Sequence, residues 1–213
     1  MDDVLEQAPS AFLHGSSHFP GYFEGEAKDL AIAQGIHGLR TNLVELRETG
    51  FSASVVHQTF RVVLNNFWEA RAVRFRAKHW MRPWSLAASE IWPHPESVPT
   101  GLPLRYEHSI PVALVAQALL DPECASFPVF YRTLRTLSVP CIITTKEDES
   151  LTSRKLDGKS LRDNMPPPFR NLRMLDWGPE ALDARYEAAE IHFPEGGRPS
   201  DVAKRLLASD AEA

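Results

Sequence analysis

The sequence predicts an α+β fold, with a mostly helical N-terminal part followed by a small two-stranded β element and flanking helices. Apolar residues recur at helical spacing from about residue 28, after an irregular arm, to about residue 91, which is typical of amphipathic helices. Beyond a group of prolines near residue 100, two short segments have strand character, and the second is the apolar, β-branched run 141–144. We therefore expect a helical part over residues 1–100 and an α+β part over residues 101–213.

The same patterns place the individual elements. Helices are predicted near residues 28–49, 53–81, 86–91, 112–120, 127–137 and 179–189, and a further helix is predicted to begin at Lys146. Strands are predicted within 102–111 and 141–144, and residues 159–177 are predicted as loop. Ser85 and Thr145 have the side chains of helix N-caps. Gly35 and Gly38 leave open whether the first helix is continuous or broken in two.

Composition excludes several classes of protein. The 213 residues are 43% hydrophobic and 24% charged, which argues against wholesale disorder. No apolar run approaches the roughly 18 residues that a membrane helix needs, and the acidic N-terminus does not resemble a secretory signal. Two cysteines cannot build a disulfide framework or a four-cysteine zinc site. A cytoplasmic protein without a membrane partner is therefore the expectation.

The net charge of −5 is unevenly distributed. Residues 1–50 carry a balance of −5, residues 51–120 a balance of +3 and residues 121–213 a balance of −3. The basic middle includes a predicted basic helix over about 53–82, where cations recur at spacings of 3, 4 and 4, with Arg76 beside them: Arg71, Arg74, Lys78 and Arg82. One face of cations suits a phosphate backbone, although a solvated helix face is an equal alternative.

One motif suggests chemistry. In Glu107-His108-Ser109-Ile110-Pro111, an acid-histidine pair ends a predicted strand and a proline follows three residues later. A second strand then leads into a helix that carries Asp148. Over about residues 102–167 this arrangement resembles the His-Me finger (HNH, ββα-metal) nucleases.

The resemblance implies a metal-dependent endonuclease that hydrolyses phosphodiester bonds of DNA, with a role in phage defence or restriction. His108 is then the general base, and Glu107 and Asp148 hold a divalent cation, with Glu147 as a substitute ligand. Oxygen ligands favour magnesium, and manganese is the alternative. Lys155 is expected to meet a phosphate. RNA remains open as a substrate, and a restriction role favours a homodimer.

Two other hypotheses fit the same residues. The chain could be a non-enzymatic regulator or adaptor that binds nucleic acid or protein, with Glu107 and His108 in structural roles. It could also be a degenerate nuclease fold that has lost its activity.

Overall fold

The computed structural model describes residues 26–71, 83–93 and 99–211, and it confirms the predicted α+β class. Its side chains are described over 30–64, 83–93 and 99–208. The α-helices in these ranges are α1 Glu26–Glu48, α2 Ala53–Arg71, α3 Leu86–Ile91, α4 Val112–Leu119, α5 Phe127–Leu137, α6 Thr145–Ser153, α7 Pro167–Arg170, α8 Ala181–Ala188 and α9 Pro199–Ala211. No helix in the described part of the chain is long and apolar enough to span a membrane.

Two small antiparallel sheets accompany the helices. Strand β1 (Leu104–His108) pairs with β2 (Pro140–Thr144), so that Glu107 lies opposite Cys141. Residues 83–85 extend this sheet through an isolated bridge on the other side of β2. Strands β3 (Lys155–Leu156) and β4 (Lys159–Ser160) form a short hairpin. Its turn residues, Asp157 and Gly158, have φ values of 51° and 76°, as an Asp-Gly hairpin turn requires.

The N-terminal helices α1 and α2 pack against each other. Helix α1 is continuous through Gly35 and Gly38, which settles the alternative of two shorter helices. It ends before Gly50, whose φ of 103° favours a residue without a side chain. Val56, Phe60 and Leu64 of α2 are buried at helical spacing in the largest hydrophobic cluster.

That largest cluster joins distant parts of the sequence. It contains residues of α1 and α2 together with residues of α4, α5, α8 and α9, and it buries Phe130, Leu134 and Leu206 completely. A second cluster lies on one face of the β1–β2 sheet, and a third, around Trp84, lies on the other face. The predicted division of the chain near residue 100 stays a prediction.

Three local predictions need correction. The N-cap of α6 is Thr144 and not Thr145, because the Thr144 hydroxyl accepts the backbone N–H of Glu147. Strand β2 begins at Pro140, a strand start being one of the few positions in a sheet that tolerate proline. Residues 159–177 are not all loop, because they include β4, α7 and a single turn of 3₁₀ helix at Met174–Asp176.

Candidate functional site

Glu107 and His108, the proposed acid-base pair, point to opposite faces of the sheet. Successive side chains of a β-strand alternate between its faces. Glu107 lies opposite Cys141, whose side chain belongs to the second hydrophobic cluster. His108 lies on the face of Tyr106, which packs against the third cluster. Because Glu107 and His108 are consecutive residues of one strand, their side chains lie on opposite faces of the sheet.

Glu107 is held by a buried arginine. Its Oε1 accepts a hydrogen bond of 3.0 Å from Nη2 of Arg185, whose side chain is 0% exposed against 21% for Glu107. Burial raises the pKa of Glu107 above its ordinary value, and the Arg185 guanidinium offsets part of this effect. The negative charge of Asp148 raises the pKa of Glu107 further.

Arg185 uses all three of its guanidinium nitrogens within the protein. Besides Glu107, it donates to four backbone carbonyl oxygens, those of Leu161, His108, Ser109 and Arg162, at 2.6 to 3.3 Å. These acceptors come from the end of β1 and from the segment after β4. Arg185 therefore joins three parts of the chain, and its charge is compensated by one carboxylate and four carbonyl dipoles.

Behind Glu107 the face becomes apolar. Cys141 donates through its Sγ to the hydroxyl oxygen of Tyr186 at 2.9 Å, and both side chains are buried. Burial raises the pKa of the Cys141 thiol and of the Tyr186 hydroxyl. Both groups are therefore neutral at physiological pH, and the thiol lacks the thiolate character that nucleophilic cysteines need.

His108 lies in an aromatic environment. The His108 ring packs edge to face against the ring of Tyr106, with the ring centroids 5.1 Å apart. His108 is 7% exposed. A general base must come within hydrogen-bond reach of a substrate water. With so little exposed surface, His108 would need the surrounding side chains to move before it could meet a water that is bound to a substrate.

The two acids of α6 differ in role. Oε2 of Glu147 accepts the backbone N–H of Thr144 at 2.7 Å and the hydroxyl of Ser85 at 2.8 Å, which completes a capping box at the start of α6. Asp148, the next residue, is half-buried. Of the proposed metal ligands, Glu107 is paired with Arg185 and Glu147 joins α3 to α6.

As placed, the proposed donor set does not fit a magnesium ion. Within the described ranges no group of three or more His, Cys, Asp or Glu side chains is arranged to hold a metal. Magnesium requires near-octahedral oxygen ligation. One oxygen of Glu107 is engaged by Arg185, and one oxygen of Glu147 already accepts two hydrogen bonds.

The predicted nucleic-acid contacts are only partly described. Arg71 is the last described residue of α2, in a stretch where only the backbone is described, and Arg74, Arg76, Lys78 and Arg82 lie outside the described residues. The proposed basic stripe therefore stays a prediction. Lys155 is exposed on β3.

Lys155 belongs to a basic segment, residues 154–173, which the charge count over 121–213 did not reveal because that wider region is acidic in total. Residues 154–173 carry six basic and two acidic side chains, a balance of +4 within a region whose total is −3. Three of these cations are paired with carboxylates: Arg154 with Glu190, Arg170 with Asp157 and Arg173 with Glu123. A count over a window of twenty residues would have found this segment.

The remaining three cations of the segment are exposed. Within the described part of the chain, Lys155, Lys159 and Arg162 have no carboxylate within ion-pair distance, and the Arg162 guanidinium donates only to the hydroxyl of Thr152 at 3.4 Å. We call these three residues the hairpin cations, since two lie on the β3–β4 hairpin and the third follows it closely.

Comparison with known proteins found no match. No family model, no curated protein and no solved structure matches the chain.

Proposed function

We propose that the chain is a nucleic-acid-binding regulator or adaptor, and that the hairpin cations contact the phosphate backbone. The observation that carries this proposal is the exposure of Lys155, Lys159 and Arg162 without a carboxylate partner in the described residues. A cation that is already paired gains little from a phosphate, whereas an unpaired one releases a counterion when it binds.

The hairpin is a short ribbon that is fixed to the rest of the protein. Lys155 pairs with Ser160 and Lys159 pairs with Leu156, so the two lysines project from opposite faces of a two-residue ribbon. The hydroxyl of Ser160 donates to the carbonyl oxygens of Leu151 and Thr152, which ties the ribbon to the end of α6. The ribbon therefore presents its positive charges from a fixed support, which lowers the entropic cost of binding.

Glu107 and His108 have structural roles in this proposal. Glu107 compensates the buried charge of Arg185, and His108 packs against Tyr106. The affinity for nucleic acid then depends on Lys155 and Lys159 and is independent of His108.

The test is fluorescence anisotropy with a labelled DNA duplex and a labelled single strand, repeated with RNA of the same sequence. We expect Lys155→Glu/Lys159→Glu to weaken binding by on the order of tenfold or more at low salt, because it turns two attractions into repulsions. A matched control is Arg132→Glu/Lys204→Glu, which changes the net charge equally at exposed positions of α5 and α9. Equal weakening by both double variants would mean that only net charge matters and would overturn the proposal.

A second candidate function is the metal-dependent endonuclease. Its support is that β1, which carries Glu107, pairs with β2, and that β2 leads directly into α6, which carries Asp148. Carboxylates are ligands that divalent cations prefer. The test is plasmid nicking with magnesium or manganese, in which wild type is compared with His108→Ala and Asp148→Asn. Metal-dependent nicking that both substitutions abolish would favour this candidate over the regulator.

A further inference from the structure

A cavity of about 380 Å³ lies between α4 and the segment 159–177, apart from the Glu107 region. Its volume falls in the range of about 300–1,000 Å³ that is usual for small-molecule sites. Leu114, Gln117 and Ala118 of α4 form one wall. Phe169 and Trp177, with ring centroids 6.0 Å apart, contribute from the opposite segment.

The lining combines apolar and polar residues. Eight of its fourteen residues are apolar, so a ligand must bring an apolar body to replace water favourably. The charged members are three cations and a single acid, Asp121, and two of the cations are paired with acids outside the lining, Arg170 with Asp157 and Arg173 with Glu123. An anionic head group is therefore favoured at Lys159, the remaining cation.

One of the three cations is available. Arg170 donates to the carbonyl oxygens of Met165 and Leu156, and Arg173 is bound to Glu123 at 2.6 Å. Lys159 has no carboxylate partner among the described residues and is exposed at the rim. Its ammonium group can therefore meet an anionic head group without breaking an existing ion pair.

We propose that this cavity binds a small organic anion with an apolar body, whose head group is bound by Lys159 and whose body lies against Phe169, Leu172 and Trp177. This site is separate from the nucleic-acid surface in all but Lys159. Variants at Leu172 therefore test the cavity alone, since an apolar side chain has no part in phosphate binding.

The test uses two fluorescent probes that differ by one group: anilinonaphthalene sulfonate, and its neutral parent N-phenylnaphthylamine. We expect Lys159→Glu to weaken the sulfonate by about tenfold, equivalent to about 1.4 kcal/mol, and to leave the neutral probe unchanged. Lys155→Glu is the matched control, because Lys155 lies on the same hairpin and does not line the cavity. Leu172→Ser should weaken both probes, and Val129→Ser, a substitution at another exposed apolar residue, should weaken neither.

The outcomes separate clearly. Weakening confined to Lys159→Glu and Leu172→Ser supports the site, and unchanged DNA affinity of Leu172→Ser separates it from the proposed nucleic-acid surface. No binding of the sulfonate to wild type, or equal weakening by each variant and its control, would overturn the proposal. All four positions are exposed, so the variants are expected to fold, and their thermal unfolding serves as the check.

Discussion

The β1–α6 region and the β3–β4 hairpin both hold charged residues, but they use them differently. Around β1 and α6, Glu107, Glu147 and Arg185 form hydrogen bonds within the protein. On the hairpin, Lys155 and Lys159 are exposed and, in the described ranges, have no carboxylate partner. The comparison teaches that a charged motif indicates a ligand site only when its side chains are not already paired or hydrogen-bonded within the protein.

The largest expected effect is on stability, at Arg185. Arg185→Met removes the partner of Glu107 and the donors to four carbonyl oxygens, so we expect the free energy of unfolding to fall by about 3–5 kcal/mol. Urea denaturation measures this loss. Arg154→Met breaks an exposed pair with Glu190 and should cost about 1 kcal/mol or less. Equal losses would contradict the structural role given to the buried cluster.

Much of the local structure could be predicted from the sequence. The bounds of α3 and α5 agree with the predictions, because Ser85 caps the first and Ser126 followed by Phe127-Pro128 begins the second. These signals lie within a few residues of the helix that they start. Element type and position are therefore well determined by short-range patterns.

The arrangement of the candidate site was harder to predict. Arg185 lies 78 residues from Glu107, and nothing in the surrounding sequence indicates that they meet. The separation of Glu107 from His108 was predictable, since strand alternation alone places neighbours on opposite faces. The long-range pairing of Arg185 with Glu107 could not be predicted, whereas the alternation of side chains along the strand could.

The capping box at the start of α6 offers a sharper test of the β1–α6 region. Thr144→Ala removes the hydroxyl that accepts the N–H of Glu147, and we expect a loss of about 1 kcal/mol. Thr145→Ala, at the position predicted from the sequence as the cap, should change stability by no more than about 0.5 kcal/mol. Thermal unfolding of the two variants decides between the two threonines, and a larger loss at Thr145 would contradict the structure.

The titration of Glu107 should change how the free energy of unfolding depends on pH. Its pKa is raised in the folded protein, so the folded state holds this proton more tightly than the unfolded state. The stability that Glu107 contributes is therefore greatest below its ordinary pKa of 4.5 and declines as the pH rises through the folded pKa. Glu107→Gln lacks this titration.

Denaturation curves of wild type and Glu107→Gln between about pH 4 and pH 7 measure the difference. Wild type should lose stability relative to the variant as the pH rises. A relative gain would mean that Arg185 outweighs burial and holds the pKa of Glu107 below its ordinary value.

The smallest expected effect is at the hairpin. Lys155→Glu/Lys159→Glu replaces exposed side chains that make no described ion pair, so stability should change by no more than about 0.5 kcal/mol. Differential scanning calorimetry of the variant and of wild type checks this. A large loss of stability would mean that the hairpin lysines, like the charged residues of the β1–α6 region, are used within the protein, and it would contradict the comparison.

The salt dependence of nucleic-acid binding tests the central claim most directly. Each phosphate that a cation neutralises on a duplex lowers the slope of log K against log salt by about 0.9, so three hairpin cations predict a slope near −2.7. Lys155→Glu/Lys159→Glu should leave a slope near −0.9, while Arg132→Glu/Lys204→Glu should keep the wild-type value. A wild-type slope near zero, or a slope that the hairpin substitutions do not change, would contradict the account.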